Sequence, residues 1–308
     1  MIPQNNELRF EVTTRCNYHC VMCPRDELVR KKETMSFDSF KFYLDRITSE
    51  TSQFEIVSFV GFGEPLLDST LLEKMAYARK LNYRVLLLTT ASVLTMEKFK
   101  EMNEIGVESI RVSLHGNSVD GYAKTHAPSS INFFEKVKDL ITDIGSLKRN
   151  TKIILTYVVT EHNKKDIESW VCYWKDKVDL IEVWKPHNWV DGRIYRKTEV
   201  EKSKSCGRPE KGPIQIQVDG TINMCCFDFN GQLLLGDLNK QSLKEIFNAK
   251  PFQKILGCHQ IGDFKGSKLI CENCDQRVND KSDIMIYNSK FDISERILQL
   301  STSYKPLS

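Results

Sequence analysis

Cys16, Cys20 and Cys23 stand as C-x-x-x-C-x-x-C in the stretch TTRCNYHCVMCPR. Thiolates are soft ligands that select zinc or iron–sulfur clusters. Three of them so close can hold three irons of a cubane [4Fe–4S] cluster and leave the fourth iron without a protein ligand, open to a small molecule. Such a cluster is a place to do chemistry, whereas full cysteine ligation mainly suits electron transfer. A structural zinc site is the alternative, and it wants four ligands. His19 would have to supply the fourth from within the same short loop. Disulfides do not suit three neighbouring cysteines with no secretory context.

A second group lies far downstream: Cys206, then Gly220 and Cys225, then Cys271-Glu272-Asn273-Cys274. Its C-x-x-C suits tetrahedral zinc as well as a cluster, and spacing leaves both open. Of the other cysteines, Cys172 falls in a helical pattern with Trp170 and Trp174 and is expected in the core. Cys226 follows Cys225 on an expected strand, so its side chain should point to the opposite face and pack. Cys258, in GCHQ, is expected as a loop thiol.

The chain has 308 residues, ten cysteines and a net charge of +3. No run is long enough to cross a bilayer, and residues 1–7 are polar where a signal segment would be charged and then apolar. A cytoplasmic location is expected, where thiols stay reduced and bind metal more readily than they cross-link. Nearly balanced charge argues against nucleic acid as a partner. The basic run at residues 29–32 is expected to be a solvated loop.

The elements that must position these residues alternate. Strands are expected at residues 8–13, 54–60, 84–89, 109–114, 152–159 and 180–183, with helical patterns between them. Ser36 and Thr95 are placed as N-caps, and Gly106 and Gly145 as helix stops. Six strand–helix repeats imply a parallel sheet with right-handed crossovers, read here as an α/β partial (β/α)6 TIM-like barrel. Chemistry in such folds gathers at the C-terminal strand ends. The cysteine loop and the loop GFGEP, residues 61–65, both follow strands. After Trp189 a charged connector, residues 191–204, leads to short strands, an Asp219-Gly220 turn and a helix capped by Ser242. The expected domains are 1–190, a small domain over 205–282, and a tail over 283–308.

With the C-x-x-x-C-x-x-C motif on the loop after the first strand, the sequence resembles the radical S-adenosylmethionine (radical SAM) superfamily. The resemblance implies that Cys16, Cys20 and Cys23 bind three irons and that S-adenosylmethionine chelates the fourth. Electron transfer then gives methionine and a 5′-deoxyadenosyl radical, which takes a hydrogen atom from an unactivated carbon. Gly61, Gly63 and Glu64 resemble that superfamily's glycine–glycine–glutamate motif, with Phe62 departing from the double glycine. Met22 matches the position that packs near the adenine. Ser113 resembles a serine that contacts the carboxylate. His115-Gly116 stands where relatives carry Asp-Gly, and Thr89-Thr90-Ala91 where Thr-Asn-Gly is common. The downstream cysteines resemble the auxiliary-cluster module called SPASM in its shortened twitch form. That form implies one auxiliary [4Fe–4S] cluster held by Cys206, Cys225, Cys271 and Cys274, because no cysteine follows Cys274.

Lys185, His187, Asn188 and Trp189 end the sixth expected strand. Polar groups with one aromatic suit a hydroxylated or anionic substrate. The expected function is hydrogen abstraction from a small polar molecule such as a sugar, aminocyclitol or nucleotide-linked sugar. Oxidation would follow, or epimerisation with Cys258 or Cys226 as hydrogen donor. A flavodoxin- or ferredoxin-type protein would supply electrons. The alternatives are modification of a ribosomal peptide, which the lack of an extra N-terminal recognition domain disfavours, and a metal-binding scaffold or electron carrier.

Overall fold

The computed structural model describes residues 1–184, 186, 188–189, 202–277 and 284–287. Lys185 and His187, expected at the substrate, lie outside the described residues, as do residues 191–201 of the expected connector. In chain order the elements are β1 (Glu7–Phe10), α1 (Phe37–Glu50), β2 (Ile56–Phe59), α2 (Leu71–Lys80), β3 (Arg84–Thr89), α3 (Met96–Ile105), β4 (Ser109–Ser113), α4 (Val119–His126), α5 (Phe133–Ser146), β5 (Lys152–Val158), α6 (Ile167–Trp174), β6 (Leu180–Trp184), α7 (Arg208–Lys211), β7 (Ile214–Ile216), β8 (Thr221–Asn223), β9 (Leu234–Asp237), α8 (Leu243–Asn248), α9 (Lys250–Ile261) and β10 (Ile284–Tyr287). The chain divides into two compact units. One takes Met1–Arg15, Glu27–Val85 and Asn188–Asp280, the other Cys16–Asp26, Leu86–His187 and Lys281–Ser308.

In the first unit β1 pairs in parallel with β2, Leu8 opposite Val57, and with β7, Leu8 opposite Ile214. β7, β8 and β9 continue antiparallel. The Asp-Gly turn joins β7 to β8, with Gly220 at φ 85°, a left-handed conformation that glycine adopts without steric cost. The Ser36 side chain accepts the Ser39 N–H and caps α1. Phe40, Leu44 and Ile47 recur on one face of that helix and are fully buried. The Phe40 ring meets Phe10 at 4.8 Å and Phe59 at 5.6 Å. Each such ring contributes about 1.5–3 kcal/mol by leaving water. Ser242 and Glu245 form a reciprocal capping box on α8.

In the second unit β3, β4, β5 and β6 pair in parallel, and β10 is antiparallel to β6. Ile110, Val112, Ile153, Leu155 and Tyr157 are fully buried, as strands covered on both faces must be. Thr95 caps α3, and Gly106 ends it at φ 84°. Gly145 does not stop α5. It lies in the last turn, where an added Cβ would come 2.4 Å from the Lys177 carbonyl oxygen.

Three helices, α4, α7 and α9, go beyond the sequence reading. The buried face of α4 is Gly121, Tyr122, Thr125 and His126 rather than an apolar stripe. α9 opens with Pro251 in its first turn and carries Gly257, both of which read as breakers. Three cysteine expectations also change. Cys258 lies on α9 rather than in a loop. Cys172 is on α6 but exposed, because the helix turns Trp170, Val171 and Trp174 inward instead. β8 stops at Asn223, so Cys225 and Cys226 sit in the turn beyond it rather than on opposite faces of a strand. Among the described residues no helix is long and apolar enough to cross a membrane.

Candidate functional site

The loop carrying Cys16, Cys20 and Cys23 is held by the end of α4 and the residues after it. The His19 N–H meets the carbonyls of His126 and Ala127 at 3.3 and 3.1 Å, and the Val21 N–H donates to Thr125 O at 3.0 Å. Ser129 N–H donates to Asn17 O, and the Tyr18 and Tyr122 hydroxyls meet at 2.7 Å in the core. The three cysteines and Met22 are half-buried. The Cys23 N–H turns back to Cys20 O at 2.9 Å. His19 is exposed, and its Nδ1 pairs with Asp26 at 2.8 Å on the surface.

The GFGEP loop is built on the first unit's own backbone. The Glu64 N–H donates to Arg15 O at 2.8 Å, one residue before Cys16. At Gly63 a Cβ would stand 2.1 Å from Thr13 O and 2.7 Å from Arg15 O. The close approach that requires glycine here is therefore to the chain itself. The buried Glu64 carboxylate accepts the Leu66 N–H at 3.1 Å and caps the turn Pro65–Leu67. At Gly61 a Cβ would stand 2.4 Å from Glu11 Cγ.

Glu11 and Arg30 are parts of this site that the sequence reading missed. The Arg30 guanidinium donates to both Glu11 oxygens, at 2.6 and 2.9 Å, and to Phe229 O at 2.7 Å. Glu11 also accepts the Phe62 N–H at 3.0 Å. Val29 and Lys31 are exposed as expected of a solvated run, but the Arg30 side chain is only 14% exposed. Nothing local in the basic run distinguishes it from its neighbours. Phe62 also forms an aromatic cluster with Trp189 at 5.6 Å and Phe229 at 6.0 Å, and Phe227 lies 5.8 Å from Trp189. Asn188 beside it is buried.

At the end of β4, Ser113 is half-buried, 3.5 Å from the Thr156 hydroxyl. Thr89 takes the Ala91 N–H at 2.8 Å. His115 is interior. Its Nδ1 lies 3.0 Å from Thr156 O and 3.1 Å from the Val158 N–H, and its ring stacks on His126 at 4.6 Å. Burial pushes the His115 imidazole down to about 4, against a smaller opposing pull from the Thr156 carbonyl. His126 is held well below its ordinary value by burial and by His115.

Cys206, Cys225, Cys271 and Cys274 all line one small cavity, with Arg208, His259 and Arg277. The thiols fit a metal cluster better than they fit each other. Burial and the neighbouring Cys206 and Cys274 push Cys271 up to about 12, so several anions cannot share the space without a cation. Backbone N–H groups of Phe227 and Gln276 point at Cys225 Sγ and Cys274 Sγ, each at 3.4 Å. Among the described residues no three His, Cys, Asp or Glu side chains converge tightly enough for a single ion. Cys226 is hydrogen-bonded to Cys225 and held low by that bond and by the Arg208 and Arg9 guanidiniums. Neither Cys226 nor Cys258 lines the cavity. None of the ten cysteines is in a disulfide.

A profile of the radical SAM superfamily matches residues 10–171, and one for an iron–sulfur cluster-binding domain, SPASM, matches residues 206–275. A tungsten-containing aldehyde ferredoxin oxidoreductase cofactor-modifying protein of Pyrococcus furiosus is 27% identical over 165 residues, 52% of this chain and 45% of its own length. A probable GTP 3′,8-cyclase of Methanothermobacter thermautotrophicus is 24% identical over 193 residues, 61% of each. The chain thus spans less than two thirds of these relatives. Among solved structures, BtrN in complex with AdoMet and 2-DOIA superposes with a TM-score of 0.61 at 18% identity, over 89% of this chain and 94% of BtrN. Streptococcus suis SuiB bound to S-adenosylmethionine gives 0.66 at 14% identity, over 89% and 71%. At these identities the likeness is one of fold, and the partial TIM-like barrel with a small C-terminal domain is that fold.

Proposed function

Because the chain belongs to the radical SAM superfamily and carries an iron–sulfur cluster-binding domain, with [4Fe–4S] clusters and S-adenosylmethionine as cofactors, we propose that it takes a hydrogen atom from a small polar substrate and oxidises it to a carbonyl. The substrate class is a sugar, aminocyclitol or nucleotide-linked sugar. Cys16, Cys20 and Cys23 hold the open cluster, and Cys206, Cys225, Cys271 and Cys274 the auxiliary one. When bound, the two clusters and S-adenosylmethionine supply a 5′-deoxyadenosyl radical and an acceptor for a second electron.

The chain's own residues bind and orient. Gly61 and Gly63 keep side chains out of the loop that offers backbone carbonyls to the methionine ammonium, and Glu64 fixes that loop by capping its turn. Met22 packs toward the adenine and Ser113 donates to the carboxylate. Trp189, backed by three phenylalanine rings, is a platform for a sugar face, with Asn188 supplying polar contact. A flavodoxin- or ferredoxin-type protein is the electron donor.

The observation that carries the oxidative reading is the meeting of four cysteines on one cavity beside the half-buried Arg208. Full thiolate ligation leaves no open iron and suits an electron acceptor. A peptide substrate is the second reading, favoured by the likeness to SuiB, which has been solved bound to precursor peptide SuiA.

Reduced holoenzyme with S-adenosylmethionine is expected to release 5′-deoxyadenosine, and Cys20→Ala to release none. Release by neither protein rejects the enzyme reading in favour of a scaffold. In deuterated water a new carbonyl without deuterium at an inverted carbon supports oxidation. Deuterium at one inverted centre that disappears in Cys258→Ala or Cys226→Ala supports epimerisation instead.

A further inference from the structure

His126 closes α4 and is fully buried. Its Nε2 faces the backbone N–H of His115 at 2.9 Å. A backbone N–H can only donate, so Nε2 carries a lone pair and the neutral ring bears its proton on Nδ1. That Nδ1 lies 3.5 Å from Cys20 Sγ. The tautomer fixed at one end of the ring aims a donor at sulfur from the other.

The ring is held in this pose. It stacks on His115 at 4.6 Å with 14° between planes, and Tyr122 and Tyr18 pack on it at 4.3 and 5.5 Å. The same segment binds the backbone on either side of Cys20, through His19 and Val21. Main chain and side chain of one helix end therefore bracket a single thiol of the motif.

We propose that His126 is a positioning and tuning residue for the cluster bound through Cys20, its Nδ1–H···S hydrogen bond withdrawing charge from the thiolate and raising the cluster's reduction potential. The inference rests on the reading of Cys20 as a cluster ligand. Hydrogen bonds to ligand sulfur are a main lever on cluster potential. A buried donor in a low-dielectric surround is stronger than one in water. The role passes through Cys20.

The test compares holoenzyme with His126→Gln and His126→Asn. An asparagine amide N–H falls near the place of Nδ1 and keeps the donor. A glutamine amide oxygen falls near Nε2, keeps the acceptor for the His115 N–H, and loses the donor. Redox titration follows, by electron paramagnetic resonance, the reduced-cluster signal that changes on adding S-adenosylmethionine. The glutamine variant is expected to lower the reduction equilibrium about tenfold, about 59 mV for a one-electron couple, with the asparagine variant close to the parent. Equal potentials in parent and glutamine variant, or equal drops in both variants, overturn the proposal. Should the variants fail to take up clusters, the parent labelled with 15N-histidine decides. A nitrogen coupling in the S-adenosylmethionine-responsive signal is expected, and its absence overturns the tuning role. If no signal responds to S-adenosylmethionine, the underlying ligand reading fails and takes this inference with it.

Discussion

Arg30 grips Glu11 through two parallel hydrogen bonds of 2.6 and 2.9 Å, and Glu11 hands the constraint on by accepting the Phe62 N–H. A basic residue from an otherwise exposed run thereby fixes the loop that carries Gly61, Gly63 and Glu64. The pair is largely shielded, with side chains 14% and 7% exposed, so neither charge is readily compensated by water if the other is removed.

Glu11→Ala is expected to destabilise the protein by about 3 kcal/mol, the cost of leaving a buried guanidinium uncompensated. It should also weaken S-adenosylmethionine binding by freeing the Phe62 backbone. Calorimetry and equilibrium binding check the two effects, and an unchanged melting temperature would show that the pair carries no load.

Gly63→Ala places a methyl group against the Thr13 and Arg15 carbonyls, which are backbone and cannot step aside. S-adenosylmethionine binding is expected to fall more than tenfold while the chain still folds. Gly257→Ala is the control, since nothing lies within 4 Å of the added atom on α9. It should stabilise by about 0.5–1 kcal/mol through helix propensity alone.

The double variant Cys271→Ala/Cys274→Ala is expected to lower iron from about eight to about four per chain after anaerobic reconstitution, the content of one cubane. Zinc together with about four irons in the parent would instead identify a zinc ribbon.

His115 gives the stability a pH dependence of predictable sign. Its folded value, about 4, lies below the ordinary 6.5, so the unfolded chain binds more protons between those limits. The stabilising contribution is complete above pH 6.5 and is lost as pH falls toward 4. At about 1.4 kcal/mol per unit, the loss is on the order of 3 kcal/mol. Thermal melts across this window should show the decline, and His115→Asn should reduce it without abolishing it, because burial also holds His126 and His259 below their ordinary values.

What the sequence determined by itself is whatever acts over a few residues. The spacing of Cys16, Cys20 and Cys23 limits them to one loop. Ser36, Thr95 and Ser242 cap helices through their own next turn, and Gly220 turns a hairpin because of its own backbone freedom. Where local pattern was the wrong guide, the reason is physical: α4 buries polar and aromatic side chains, and α9 tolerates a first-turn proline and an open glycine. The tertiary structure alone decided the pairings that give the site its character. His126 reaches Cys20 across 106 positions of chain, and Arg30 finds Glu11 from a run of like charges. Chain spacing carries no record of such meetings, because they depend on which strand ends and helix ends the buried core brings together.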